Sequence, residues 1–216
     1  MSYEEQINTL QAPSFDQIRS IARSELAVLS PEQRDRLYYQ LDRGTALLET
    51  HEQLCQYLYS FGNMHKAKIQ DVLTQVPDLA FNNSIEIIDW GCGQALGTIN
   101  LLDYLNERSL FHNVKKITLL EPAVTALERA KLHVESYVKD NVEIVTRSEF
   151  FEQLTEYDII STKGYNVIHI FSNILDVKEI DLKHLSKILD RSIVSDNYLL
   201  CVGPLNPTNH RIDAFF

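Results

Sequence analysis

The stretch Ile85–Thr98 reads IEIIDWGCGQALGT. It opens with a short apolar run, Ile85–Asp89, of the length and β-branched character of a buried strand. An acid, Asp89, ends the run, Gly91 and Gly93 follow, and from Gln94 to Asn106 the residues Leu96, Ile99, Leu102 and Leu105 recur at helical spacing. A strand end in an open parallel sheet faces the ligand crevice. Glycine at that point allows a tight turn and a close approach of ligand to backbone. The first turn of the next helix offers unpaired amide groups. A strand-to-helix turn that binds nothing would use the same glycines.

Working outward, the alternation continues. Strands are expected at Lys116–Leu120, Val142–Val145, Asn166–Phe171 and Tyr198–Val202, with helices at Val124–Val138 and Ile180–Leu189. The segment Phe150–Gly164 is ambiguous: Tyr157–Ser161 (YDIIS) has strand character, but a loop or edge element is preferred because Val167–Phe171 better suits a buried strand. Strand–helix alternation predicts an α/β fold with a mostly parallel, doubly wound sheet. Before residue 80 the patterning is helical instead. Ser14-Phe15-Asp16-Gln17 reads as a capping box, and Ser30-Pro31-Glu32-Gln33 as a second helix start. A third helix is expected over Thr45–Ser60, broken at Gly62, with a further helix to Val76. The domain expectation is a helical N-terminal cap over 1–80 and the α/β unit over 81–216.

The 216 residues are 44% hydrophobic and 23% charged, an ordinary globular balance. No apolar run reaches the roughly 18 residues that a membrane span needs. MSYEEQINTL has neither the basic flank nor the apolar core of a signal peptide. The three cysteines, Cys55, Cys92 and Cys201, are widely spaced and form no CxxC pair, which argues against a disulfide framework or a zinc site and for the reducing cytoplasm. A formal net charge of -10 opposes binding to phosphate backbones, although Arg19, Arg23, Arg34, Arg36 and Arg43 cluster near the N-terminus.

Asp89-Trp90-Gly91-Cys92-Gly93 resembles motif I of the class I S-adenosylmethionine-dependent methyltransferases, acid-x-Gly-x-Gly-x-Gly, with Ala95 in place of the third glycine. The resemblance covers roughly Tyr57 to Pro204 and implies a Rossmann-like fold with S-adenosylmethionine as cofactor. It places Asp89, Gly91, Cys92 and Gly93 around the amino-acid part of the cofactor. Glu121 ends the strand KKITLLE and precedes Pro122, where relatives carry the acid that binds the ribose diol; a solvated acid at a helix start would also be favourable there. Ser148 and Glu149 fall where relatives contact adenine. Phe171 and Ser172, at the tip of YNVIHIFSNILD, lie where relatives line the transfer site, with Asn173 as a substrate contact. His169 reads as a core histidine with its hydrogen bonds satisfied. In Tyr57–Lys68, Phe61, His65 and Lys68 share a helical face, and His65 is a candidate contact to substrate or to the cofactor carboxylate. A cap helix merely packed on the sheet accounts for that face equally well.

The resemblance implies methyl transfer to a small-molecule or protein acceptor. The Asn/Asp-Pro-Pro-aromatic motif typical of nucleic-acid amino-methyltransferases is missing, so a nucleobase amine is not expected, and no catalytic residue or metal is assigned. The alternative is a methyltransferase-like binding or scaffolding module without turnover. A nicotinamide-dependent oxidoreductase is disfavoured, because Leu96 stands where GxGxxG needs glycine. Relatives end with two further strands as an antiparallel hairpin. Here NHRIDAFF looks like a helix and the chain stops at Phe216, so these strands are expected to be missing. A fragment of a longer protein is favoured, with an exposed C-terminal sheet edge as a surface for association.

Overall fold

The computed structural model describes residues 1–44, 46–138, 141–192, 196–204, 210–213 and 215. Seven α-helices and five strands are present among them: α1 (Tyr3–Asn8), α2 (Phe15–Leu26), α3 (Pro31–Gln40), α4 (His51–Leu73), β1 (Ile85–Trp90), α5 (Leu96–Glu107), β2 (Val114–Leu120), α6 (Val124–Tyr137), β3 (Glu143–Arg147), β4 (Asn166–Ser172), α7 (Leu182–Ser192) and β5 (Asn197–Val202). The sheet order is β3-β2-β1-β4-β5, and every pairing is parallel. This is the Rossmann-like, doubly wound arrangement expected from the sequence. The chain leaves β1 for β2 on one side and returns to β4 on the other, so the crevice at the carboxyl end of β1 is the topological switch point.

β1 is buried along its whole length, and its alternation divides the core. Ile85 and Ile87 face a cluster shared with Leu102 of α5 and Val134 of α6. Ile88 and Trp90 face the other way, onto Leu185, Ile188 and Leu189 of α7. The first cluster also takes in Tyr3, Ile7, Phe15, Ile18, Leu58 and Ile69, so α1, α2 and α4 share one core with the sheet.

The helix starts follow the capping logic. Ser14, Ser30 and Thr50 each accept from the backbone N–H three residues on, at 3.4, 3.3 and 3.2 Å. Two expectations are corrected here. The helix expected from Thr45, itself outside the described residues, begins at His51, and it runs unbroken through Gly62. Gly62 lies against α2, where a Cβ would come within 3.0 Å of Phe15 Cζ, so this glycine serves close helix packing and not a break. The segment 150–164 is a loop containing one 3₁₀ turn, Phe151–Gln153. The helix expected over 209–216 falls partly outside the described residues, and 211–213 form a turn. No strand beyond β5 occurs among the described residues.

Candidate functional site

The loop after β1 is built from left-handed residues: φ is +63° at Gly91, +54° at Gly93 and +62° at Ala95. Such turns suit glycine and cost other L-residues about 1–2 kcal/mol. Ala95, at the place of the third glycine, therefore keeps the glycine conformation at some cost in strain. The loop is tied to β2, since Cys92 N–H donates to Leu120 O at 2.9 Å. Gly93 N–H donates to Glu121 Oε2 at 2.9 Å, and Ala123 N–H donates to Glu121 Oε1 at 3.0 Å. One carboxylate at the tip of β2 thus holds both the glycine loop and the start of α6. Burial raises the Glu121 pKa, and the two N–H donors oppose that rise.

Above this loop lies a cavity of about 530 Å³. Its floor is Gly91–Gly93, and its walls come from Glu121 and Pro122, from 149–152, from Tyr57 and His65 of α4, and from 172–174 at the end of β4. Residues of the 42–48 segment and of the loop before α7 also line it. A Cβ on Gly91 would meet Ile174 Cδ1 at 2.8 Å, whereas a Cβ on Gly93 would meet nothing within 4 Å. Gly91 is a packing requirement, and Gly93 presents bare backbone to open space. Asp42, Glu121, Glu149, Glu152 and Glu179 line the cavity. Glu149 is partly compensated, with Arg147 at 3.2 Å. Among the described residues no group of three or more His, Cys, Asp or Glu is arranged to hold a metal ion.

Of the residues singled out in the sequence, His65, Gly91, Cys92, Gly93, Glu121, Pro122, Glu149, Ser172 and Asn173 all line the cavity. Three do not. Asp89 is buried beneath the start of α5, where its Oδ2 accepts from Thr98 Oγ1 at 2.7 Å and from Thr98 N–H at 3.3 Å. Burial raises its pKa to about 7, against the Thr98 hydrogen bonds. Ser148 turns aside and donates to Pro122 O at 3.2 Å. Phe171 points to the opposite face of the sheet, with its ring stacked on Trp90 at 5.7 Å and 11°. His169 is a core residue: its Nδ1 accepts from Trp90 Nε1 at 3.1 Å, which leaves Nε2–H to donate to Asn197 Oδ1 at 2.8 Å.

At the β4 end, α4 meets the sheet through polar side chains. Tyr57 Oη lies 2.9 Å from His65 Nε2, and Ser172 Oγ lies 3.1 Å from His65 Nδ1. Burial, followed by the charge of Lys68, pushes the His65 pKa down to about 4, so the ring is neutral at physiological pH. Lys68 does not line the cavity; its Nζ donates to Asn173 Oδ1 at 2.6 Å. The sequence reading did not single out Tyr57, Asp42, Gln94, Glu152 or Glu179. Tyr57 had a weak signal, two helical turns before His65. The others come from short turns and loops between the main elements, whose place depends on the fold.

No family model and no curated protein matches the sequence. Solved structures similar to it include a SAM-dependent methyltransferase from Leishmania major, 15% identical, aligned over 86% of this chain and 67% of that one with a TM-score of 0.45. An S-adenosylmethionine-dependent methyltransferase from Clostridium acetobutylicum is 14% identical over 74% of this chain and 51% of that one, with a TM-score of 0.38. Coclaurine N-methyltransferase, bound to N-methylheliamine and SAH, is 15% identical over 91% of this chain and 60% of that one, with a TM-score of 0.42. The chain thus spans between half and two thirds of the length of these proteins. These are likenesses of fold, and the chemistry of the site stands on its own residues.

Proposed function

We propose that the cavity binds S-adenosylmethionine and that the chain transfers its methyl group to a small-molecule or protein acceptor. The observation that carries this reading is the pairing of a bare glycine floor with the Glu121 carboxylate at the switch point. Each Glu121 oxygen accepts one backbone hydrogen bond and retains capacity for another, enough for a ribose diol. Glu149 offers an acceptor on the adenine side, and His65, Ser172 and Asn173 offer polar contacts at the other end. The acidic lining suits a cationic sulfonium and disfavours a phosphate-bearing acceptor.

The cofactor would supply an activated methyl group for in-line displacement. The chain supplies binding, orientation and exclusion of water. Asp89 and Thr98 stiffen the base of the loop, and Glu121 fixes its height over β2. Neutral His65 serves as a hydrogen-bonding wall. The unpaired cysteines fit a reducing, cytoplasmic setting. Among the described residues no helix is long and apolar enough to cross a membrane, and β5, at the edge of the described sheet, offers a surface for association.

Calorimetry with S-adenosylhomocysteine tests the reading. The wild-type chain is expected to bind it, and Glu121→Gln to bind it about ten-fold more weakly, as loss of a charged acceptor implies. A folded sample that takes up no ligand removes the cofactor assignment.

A further inference from the structure

The glycine loop is pinned at its strained residue. Ala95 holds φ at +62°, a conformation that glycine takes freely and alanine does not. The peptide between Gln94 and Ala95 is held at both ends. Ala95 N–H donates to Cys92 O at 2.7 Å, and Gln94 O lies 2.9 Å from Nδ1 of His133, a buried residue of α6. A backbone carbonyl can only accept, so His133 Nδ1 carries a proton. Burial pushes the His133 pKa down to about 3, so at neutral pH the ring has that single proton and Nε2 is bare. Tyr3 Oη of α1, 2.8 Å from Nε2, therefore donates to it. The Gln94 side chain adds a third tie, its Nε2 donating to Leu54 O of α4 at 2.9 Å. A flip of the Gln94–Ala95 peptide is the move that would free Ala95 from its left-handed φ. It would break the bond to Cys92 and turn the Ala95 N–H toward the proton on His133 Nδ1.

We infer that His133 is a positioning residue for the cofactor: its Nδ1–H, on a ring anchored by Tyr3 of α1, pins the Gln94 carbonyl and so keeps Ala95 in the left-handed turn that shapes the cavity floor. The inference rests on the cofactor reading above. His133 does not line the cavity, whereas Gly93 and Gln94, the residues just before the pinned peptide, do. With glycine at 95 the turn would need no such pin, because glycine enters the left-handed region without strain. The histidine thus stands in for the missing glycine: it holds by a hydrogen bond a conformation that alanine adopts reluctantly. A loop held ready in this way spares the ligand the work of ordering it.

The test measures S-adenosylhomocysteine affinity by calorimetry in two backgrounds. His133→Leu removes the donor and is expected to weaken the ligand about ten-fold, because much of the free protein then has the peptide flipped. His133→Asn keeps an amide donor near the place of Nδ1 and should stay within about two-fold of the wild type. In the Ala95→Gly chain, His133→Leu should lose about two-fold or less, since the turn no longer depends on the pin. A purely structural role for His133 predicts a different pattern: equal losses for His133→Leu and His133→Asn, and the same loss for His133→Leu in both backgrounds. Either result, or unchanged affinity in His133→Leu, overturns the inference and leaves the cofactor reading in place. Should His133→Leu fail to fold, ¹⁵N NMR of the ligand-free wild type decides: Nδ1–H with a bare Nε2 supports the pin, and Nε2–H with a bare Nδ1 overturns it. A wild type that binds no S-adenosylhomocysteine overturns both readings.

Discussion

Gly91 and Gly93 share a backbone conformation and differ in what surrounds them. Alanine at either position takes on the left-handed strain of about 1–2 kcal/mol. At Gly91 the added methyl also presses on Ile174 at 2.8 Å, so Gly91→Ala should cost about 2–4 kcal/mol in all. At Gly93 the methyl enters open space above the loop. Gly93→Ala should therefore cost strain alone and weaken S-adenosylhomocysteine about ten-fold, as a methyl now fills ligand volume. Urea unfolding and calorimetry on both variants check this: equal stability losses, or a Gly93 variant with wild-type affinity, would mean that the two glycines are not divided in this way.

At the scale of elements, α4 carries the site's second wall. Its start is a reciprocal cap: Thr50 Oγ1 accepts from Gln53 N–H at 3.2 Å, and Gln53 Oε1 accepts from Thr50 N–H at 3.1 Å. Thr50→Ala should cost about 1 kcal/mol by denaturant unfolding. Tyr57 and His65 lie two or more turns further along the helix, so ligand affinity should change little, and a large loss would show that the frayed turn reaches the cavity. The helix was legible in the sequence as two pieces separated at Gly62. Its continuity was not, because a glycine that breaks a helix and one that lets α2 pack closely look alike until the neighbour, Phe15, is in place.

At the scale of the molecule, the cap and the site are joined through His133 of α6. Its Nε2 lies 2.8 Å from Tyr3 Oη on α1, and its Nδ1 lies 2.9 Å from Gln94 O in the glycine loop. Burial pushes its pKa down to about 3; the Gln94 hydrogen bond opposes this and Arg129 adds to it. The unfolded chain takes up a proton at this residue near pH 6.5 and the folded chain does not. The stability it contributes is full above that pH and is lost as the pH falls toward the folded value. Between about pH 6.5 and 5 the wild type should lose about 2 kcal/mol more than His133→Gln, which removes the titration and keeps a donor and an acceptor. Parallel pH profiles for the two proteins would show that His133 does not carry this dependence.

The sequence by itself determined the order of strands and helices, the parallel sheet and the position of the glycine loop, because period, caps and glycines act over a few residues. Among the cavity's polar residues it also pointed to His65, Glu121, Glu149, Ser172 and Asn173, and missed as many: Asp42, Tyr57, Gln94, Glu152 and Glu179. Ala95 shows how local that determination is: the αL turn is kept although glycine is not, with the Ala95 N–H donating to Cys92 O at 2.7 Å. Only the tertiary structure decided which way neighbouring side chains turn. Phe171 and Ser172 are adjacent, yet one belongs to the core against α7 and the other to the cavity. Asp89 ends its strand as an acid should, but Thr98 takes its carboxylate. Tyr57, Asp42 and Glu179 reach the same cavity from segments far apart in the chain. Such convergence depends on how the cap packs on the sheet, a property of long-range contacts that no local spacing encodes.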